Sequence, residues 1–179
     1  MKIEELCILA RECGFWEIGV SDMALVRFYP EVRRICEQNA CRNYGKTWAC
    51  PPAVGSMEEC RKRVEAYNTM LLFSGKYDLE DSFDFEGMTF GLHNFKKTVD
   101  RFDQMLKNRM SDYLLLSNEG CDRCETCTYP TSACRFPSKL HHSLEGYGFV
   151  VSELASLAGI RYINGKDTVT YFGALLFRT

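Results

Sequence analysis

Ile3, Leu6, Leu9, Ala10 and Cys13 recur at the three- and four-residue spacing of one helix face, and Gly14 follows where a C-cap belongs. Cys7 and Cys13 fall inside this pattern and read as packing residues. The apolar run Phe15 to Val20 predicts a short strand that Ser21-Asp22 ends. A second helix is expected from Pro30, whose fixed φ suits a first turn, with Val32, Ile35 and Cys36 on one side. Ser56 and Glu59 form a capping box, and Met57, Cys60, Val64 and Tyr67 mark the buried stripe of the helix behind it. Thr69 to Ser74 reads as a buried strand, whereas residues 78–87 are acidic and aromatic without period and read as a loop. Leu92, Phe95, Val99, Phe102, Leu106 and Met110 outline the longest amphipathic helix, with His93 as a surface or packed residue within it. Tyr113 to Leu116 is the next strand, and Asn118-Glu119-Gly120 leads into a cysteine-rich loop. Residues 143–158 look helical, with Val150, Leu154 and Leu157 inward and Gly159 at the end. Ile160 to Ile163 and Val169 to Phe177 are the last strands, parted by an Asn164-Gly165 turn.

Strands alternating with helices predict an α/β fold, a sheet layered with helices. The last two strands are close enough for a hairpin, so a mixed sheet is expected. With no repeat, low-complexity segment or linker, residues 1–179 read as a single α/β domain carrying two cysteine-rich loops, 36–52 and 121–137.

Composition narrows the choice of function. A chain of 179 residues with 46% hydrophobic and 26% charged residues can bury a sizeable core. A net charge of −2 with scattered basic residues argues against a nucleic-acid partner held by phosphate neutralisation. Arg61-Lys62-Arg63 reads as the solvated face of a helix. The opening Met-Lys-Ile-Glu-Glu does not read as a signal peptide, and no apolar run is long enough to span a bilayer. Cytoplasmic placement is therefore expected. There, ten cysteines point to metal ligands, redox groups or small buried side chains before disulfides.

The strongest chemical signal is Cys121, Cys124 and Cys127 at three-residue intervals, with Cys134 following after six intervening residues that include Pro130. Four thiolates complete the ligand set of a [4Fe–4S] cube, and C-x2-C-x2-C is a spacing that such clusters use. Zinc is the main rival, although its usual pattern is two well-separated C-x2-C pairs; free or disulfide-bonded thiols are the third reading. Arg123 and Arg135, beside the ligands, either favour the more negative reduced cluster or are simply solvated.

A second loop offers Cys36, Cys41 and Cys50, with Gly45 and Pro51-Pro52 restricting its backbone. Gly45-Lys46-Thr47 is not a phosphate loop, because Ala40 stands where that pattern needs glycine. A second iron–sulfur cluster is possible here, and three thiolates would leave one corner to Cys60, a non-cysteine ligand, a small-molecule substrate or a partner's side chain. Tyr44 and Trp48 are candidates to shield it, and ordinary loop and core thiols are the plain alternative.

Taken together, Cys36…Cys41-Arg42-Asn43-Tyr44-Gly45…Cys50-Pro51-Pro52 and Cys121-x2-Cys124-x2-Cys127-x6-Cys134-Arg135-Phe136-Pro137 resemble the predicted metal-binding proteins of domain of unknown function 2284. Ser143-Leu144-Glu145-Gly146-Tyr147-Gly148 is similar to that family's serine-hydrophobe-glutamate-x-x-glycine element. His141-His142 depart from its pattern, standing where an Arg-Pro pair is expected. The resemblance implies metal binding and brings no known reaction. Residues 9–22 also resemble the opening of corrinoid-dependent iron–sulfur reductases such as epoxyqueuosine reductase, through a helix ending in Gly-Phe before a strand, a feature too common to assign a cofactor. The leading expectation is an iron–sulfur protein passing single electrons to or from a redox partner protein. A structural metal protein, and an enzyme using an open iron at the N-terminal cysteines, are the alternatives.

Overall fold

The computed structural model describes residues 1–118 and 120–179; Glu119, in the approach to the second cysteine loop, lies outside the described residues. Among the described residues, β1 (Ile18–Asp22), β2 (Thr69–Asp78), β3 (Leu114–Ser117), β4 (His142–Ser143) and β5 (Thr168–Phe177) form a sheet of order β1-β2-β5-β3-β4. The helices are α1 (Ile3–Cys13), α2 (Pro30–Glu37), α3 (Met57–Val64), α4 (Phe85–Lys107) and α5 (Val151–Ala158). The fold is α/β with a mixed sheet, as the alternation predicts.

The sheet is covered on both faces, which is why β2 is apolar for a long run instead of alternating. Its first seven residues are buried. Met70 and Leu72 join Val64, Leu116, Tyr147, Leu154 and Leu176 on the side of α3 and α5. Leu71 and Phe73 join Leu6, Leu9, Phe95, Phe102 and Leu175 on the side of α1 and α4. At the edge, β1 lies so close to the end of α5 that a Cβ on Gly19 would stand 1.9 Å from the Ala158 carbonyl oxygen.

Several local expectations are corrected. Phe15 and Trp16 precede β1, because the Gly14 and Phe15 amides still bond the last carbonyls of α1, and the Phe15 ring stacks 4.1 Å from Phe73. Helix α4 starts inside the predicted loop, at Phe85, where Asp84 caps it by accepting from the Gly87 N–H at 2.8 Å. Residues 143–150 are not helical. They hold the end of β4 and a 3₁₀ turn, Glu145–Tyr147, because Ser143 Oγ takes the Gly146 N–H at 3.1 Å and Gly148 sits at φ 78°. Residues 160–163 form no strand and no hairpin with β5; they follow the Gly159 cap of α5, where the Ile160 N–H still bonds Ala155 O, and the Arg161 N–H is drawn to the Glu17 carboxylate at 2.9 Å. The mixed character comes instead from β3 and β4, which pair parallel. Ile35 is exposed, so the apolar side of α2 does not enter the core. Arg63 is not merely solvated: its guanidinium donates to Val54 O at 2.7 Å and to the Tyr147 hydroxyl at 2.9 Å. No helix among the described residues is long and apolar enough to cross a membrane.

Candidate metal centre

Ligands of open α/β sheets gather beyond the carboxyl ends of parallel strands, where diverging connections leave a crevice. Here the parallel pair is β3 and β4. Beyond β3 the chain passes Asn118 and Gly120 into Cys121; beyond β4 it makes the 145–147 turn. Gly120 has φ 71° and sits against Asn43, whose amide would lie 3.1 Å from a Cβ there. That conformation is open to glycine at little cost and lets the two cysteine loops meet.

Cys121, Cys124, Cys127 and Cys134 all line one cavity of about 410 Å³, whose opposite wall is the Arg42–Trp48 stretch of the first loop. Two of the sulfurs accept backbone amides. The Phe136 N–H donates to Cys134 Sγ at 3.4 Å, and the Arg123 amide points to Cys121 Sγ. Burial raises the Cys121 pKa, which the Arg123 amide and the charges of Arg123 and Lys96 oppose. The loop is tied down at several points. Arg123 forms a two-pronged pair with Asp100 of α4, one contact at 2.8 Å, and donates to Lys139 O at 2.7 Å. Its charge is thus matched by Asp100. Arg135 donates to Thr126 O at 2.9 Å within the loop. His93 Nδ1 lies 2.6 Å from Asp122 Oδ2, so this half-exposed histidine braces the loop. Trp48 meets Tyr129 edge-on at 5.0 Å and donates to Ser132 O at 3.2 Å, so it covers this cavity and not the one beside Cys36.

Cys36, Cys41 and Cys50 line a separate cavity of about 350 Å³ together with Tyr44, Asn118, Ser143 and Glu145. Cys50 is buried, and its sulfur accepts the Gly120 N–H at 3.3 Å, a direct bond between the two cysteine loops. Burial raises its pKa, and the Gly120 amide with the Thr47 and Ser143 hydroxyls pulls the other way. Burial pushes the Cys36 thiol up to about 11, with Glu145, Cys41 and Cys50 adding to the rise. Cys60 stays outside: it is fully buried in the core and its thiol points to Val54 O at 3.6 Å. Cys13 is likewise buried, against Met105 Sδ at 3.6 Å.

Asn118, Ser143 and Glu145 escape a reading by cysteine spacing. The signal for two of them was the Ser-Leu-Glu-Gly-Tyr-Gly segment, which pins itself beside the cavity: Ser143 N–H donates to Ala49 O and Leu144 N–H to Ser117 O, both at 3.0 Å. The neighbouring histidines lead away from it. His141 Nε2 lies 3.3 Å from Asp103 Oδ2. Burial alone would raise the Asp103 carboxyl, but hydrogen bonds from His141, Lys107 and Tyr113 bring it down to about 2.

The model of a family described as predicted metal-binding proteins, DUF2284, matches residues 21–177. The chain belongs to this family. No curated protein matches it. Among solved structures, epoxyqueuosine reductase from Bacillus subtilis aligns over 96% of this chain at 11% identity and a TM-score of 0.45. The chain spans 44% of that structure's length. The DUF2284 donor set in this chain is soft, four thiols around one cavity and three around another, which suits zinc, copper(I) or iron–sulfur clusters over magnesium or calcium. Among the described residues, no three His, Cys, Asp or Glu side chains close on a single-ion point. The cysteines line two cavities instead.

Proposed function

We propose that Cys121, Cys124, Cys127 and Cys134 bind one [4Fe–4S] cluster and that the protein carries single electrons to or from a partner protein. The observation that carries this reading is that all four thiols line the same cavity of about 410 Å³. A four-iron cube sets its thiolates at the corners of a larger tetrahedron than a single zinc ion does, and their C-x2-C-x2-C spacing belongs to such clusters. Backbone amides on Cys121 and Cys134 are the hydrogen bonds that tune cluster sulfurs. A cube ligated by four thiolates keeps no iron open, so electron exchange is the chemistry left to it. Arg42, Lys46 and Arg135 around the cavity favour the more negative reduced form, while Arg123 is matched by Asp100. Cys124, Cys127 and Cys134 are only half-buried, which leaves a short path from cluster to partner.

Anaerobic purification tests the proposal directly. The protein is expected to be brown, to bleach reversibly with dithionite and to give a paramagnetic signal when reduced. Serine substitution of each of the four cysteines should remove about four irons per chain relative to wild type. Unchanged iron in all four variants overturns the assignment. A colourless protein with tightly bound zinc would establish the structural alternative instead.

A further inference from the structure

We propose that Cys36, Cys41 and Cys50 hold a second [4Fe–4S] cluster whose fourth iron has no protein thiolate, and that this iron takes a small oxygen-donor ligand that accepts from the Asn118 amide. The site rests on its own residues and not on the cluster assigned to Cys121–Cys134.

The three thiols come from separate places, the last turn of α2, the following loop and the segment before Pro51, yet they line one cavity. Nothing in local periodicity requires that meeting. Cys50 is fixed by the Gly120 N–H at 3.3 Å, the kind of amide-to-sulfur bond that stabilises a thiolate. The fourth thiol is missing. Cys60 faces the opposite way, into the core, and Cys13 packs against Met105. A cube here would therefore have three protein sulfurs and one corner without a protein thiolate.

The cavity measures about 350 Å³, within the size range of small-molecule sites. Val32, Ile35, Val151 and Phe172 supply apolar wall. Asn118 supplies the polar contact. It is 8% exposed, and its Nδ2 has no hydrogen-bond partner among the described residues. Its Oδ1 is occupied by the Ser117 hydroxyl at 3.2 Å, which orients the amide. A buried donor left without an acceptor costs free energy that a ligand oxygen would recover. The Asn118 N–H asks for an acceptor, which a carbonyl, hydroxyl or water oxygen supplies. The open side of α2 is explained in the same way: its apolar residues line a ligand cavity instead of the core.

The test uses the anaerobically purified full chain. About eight irons per chain are expected, falling to about four in Cys41→Ser, whose residue is exposed on a loop and outside both apolar clusters, and unchanged in Cys60→Ala. A Cys124→Ser/Cys127→Ser variant should keep about four irons, which separates this site from the first. In that variant, reduced in oxygen-17-enriched water, electron–nuclear double resonance should show coupling from an iron-bound oxygen. Asn118→Leu should retain the iron and alter that coupling. If Cys36→Ser, Cys41→Ser and Cys50→Ser all leave iron unchanged, the second cluster is excluded. Loss of iron without any oxygen-17 coupling in the wild-type cavity overturns the open corner.

Discussion

Tyr147 shows how much one side chain organises. Its ring is fully buried, and its hydroxyl accepts from Arg63 at 2.9 Å and meets His142 Nδ1 at 3.0 Å. With the Arg63 donor already on the oxygen, the hydroxyl proton goes to His142, whose Nδ1 must then carry a lone pair. Burial, with the charges of Arg63 and His141, accordingly holds His142 down to about 4. The unfolded histidine titrates near 6.5. Above that value neither state is protonated and His142 is silent. As pH falls towards 4, the unfolded chain binds a proton that the folded chain refuses, so stability declines across this window. His142→Gln removes that titration. At about pH 5 the wild type should lose ~2 kcal/mol more, relative to neutral pH, than the variant does. Urea unfolding at both pH values measures this, and equal losses in the two proteins would show that His142 is not the group responsible.

At the scale of elements, the contact between α5 and β1 is the least forgiving. The Ala158 carbonyl occupies the space of a Gly19 Cβ, so Gly19→Val must push the helix end off the strand. A loss on the order of 2–4 kcal/mol is expected, read from the denaturant midpoint with unchanged m-value. A loss below about 0.5 kcal/mol would mean that α5 does not pack there. One helix start was legible in its local chemistry, and another, the Asp84 cap of α4, was equally local but was hidden in an acidic, aromatic stretch without period. The Ser56–Glu59 capping box forms as expected, with bonds of 2.6 and 3.2 Å, because both partners lie within one turn. The 143–150 segment was not legible, because its shape depends on Ala49 and Ser117, distant in the chain. The same distinction divides the site. Cys121 to Cys134 share a spacing that can be read, whereas Asn118 is one polar residue at a strand end, without period or motif. The apolar side of α2 was visible in Val32 and Ile35, but period alone does not say whether a stripe faces core or cavity.

For the whole molecule, the question is whether metal holds the fold or the fold holds metal. Small metal-dependent domains unfold without their ion because they have no other core. This chain has one on each face of the sheet, around Phe73, Phe95 and Leu175 on one side and Leu72, Leu144 and Tyr147 on the other. None of Cys121, Cys124, Cys127 or Cys134 belongs to either cluster. Their loop is attached by discrete anchors, the Arg123–Asp100 pair, the His93–Asp122 contact and the Trp48–Tyr129 seam. Local opening free energies follow such differences in packing, so the cysteine loops and the strands should respond separately. In a Cys124→Ser/Cys127→Ser variant, far-UV circular dichroism and cooperative unfolding should persist. Amide-exchange protection should fall in 121–140 and in the facing 42–48 segment, and remain in β2 and β5. Global loss of protection would instead make the metal a condition of folding, and the two apolar clusters insufficient by themselves.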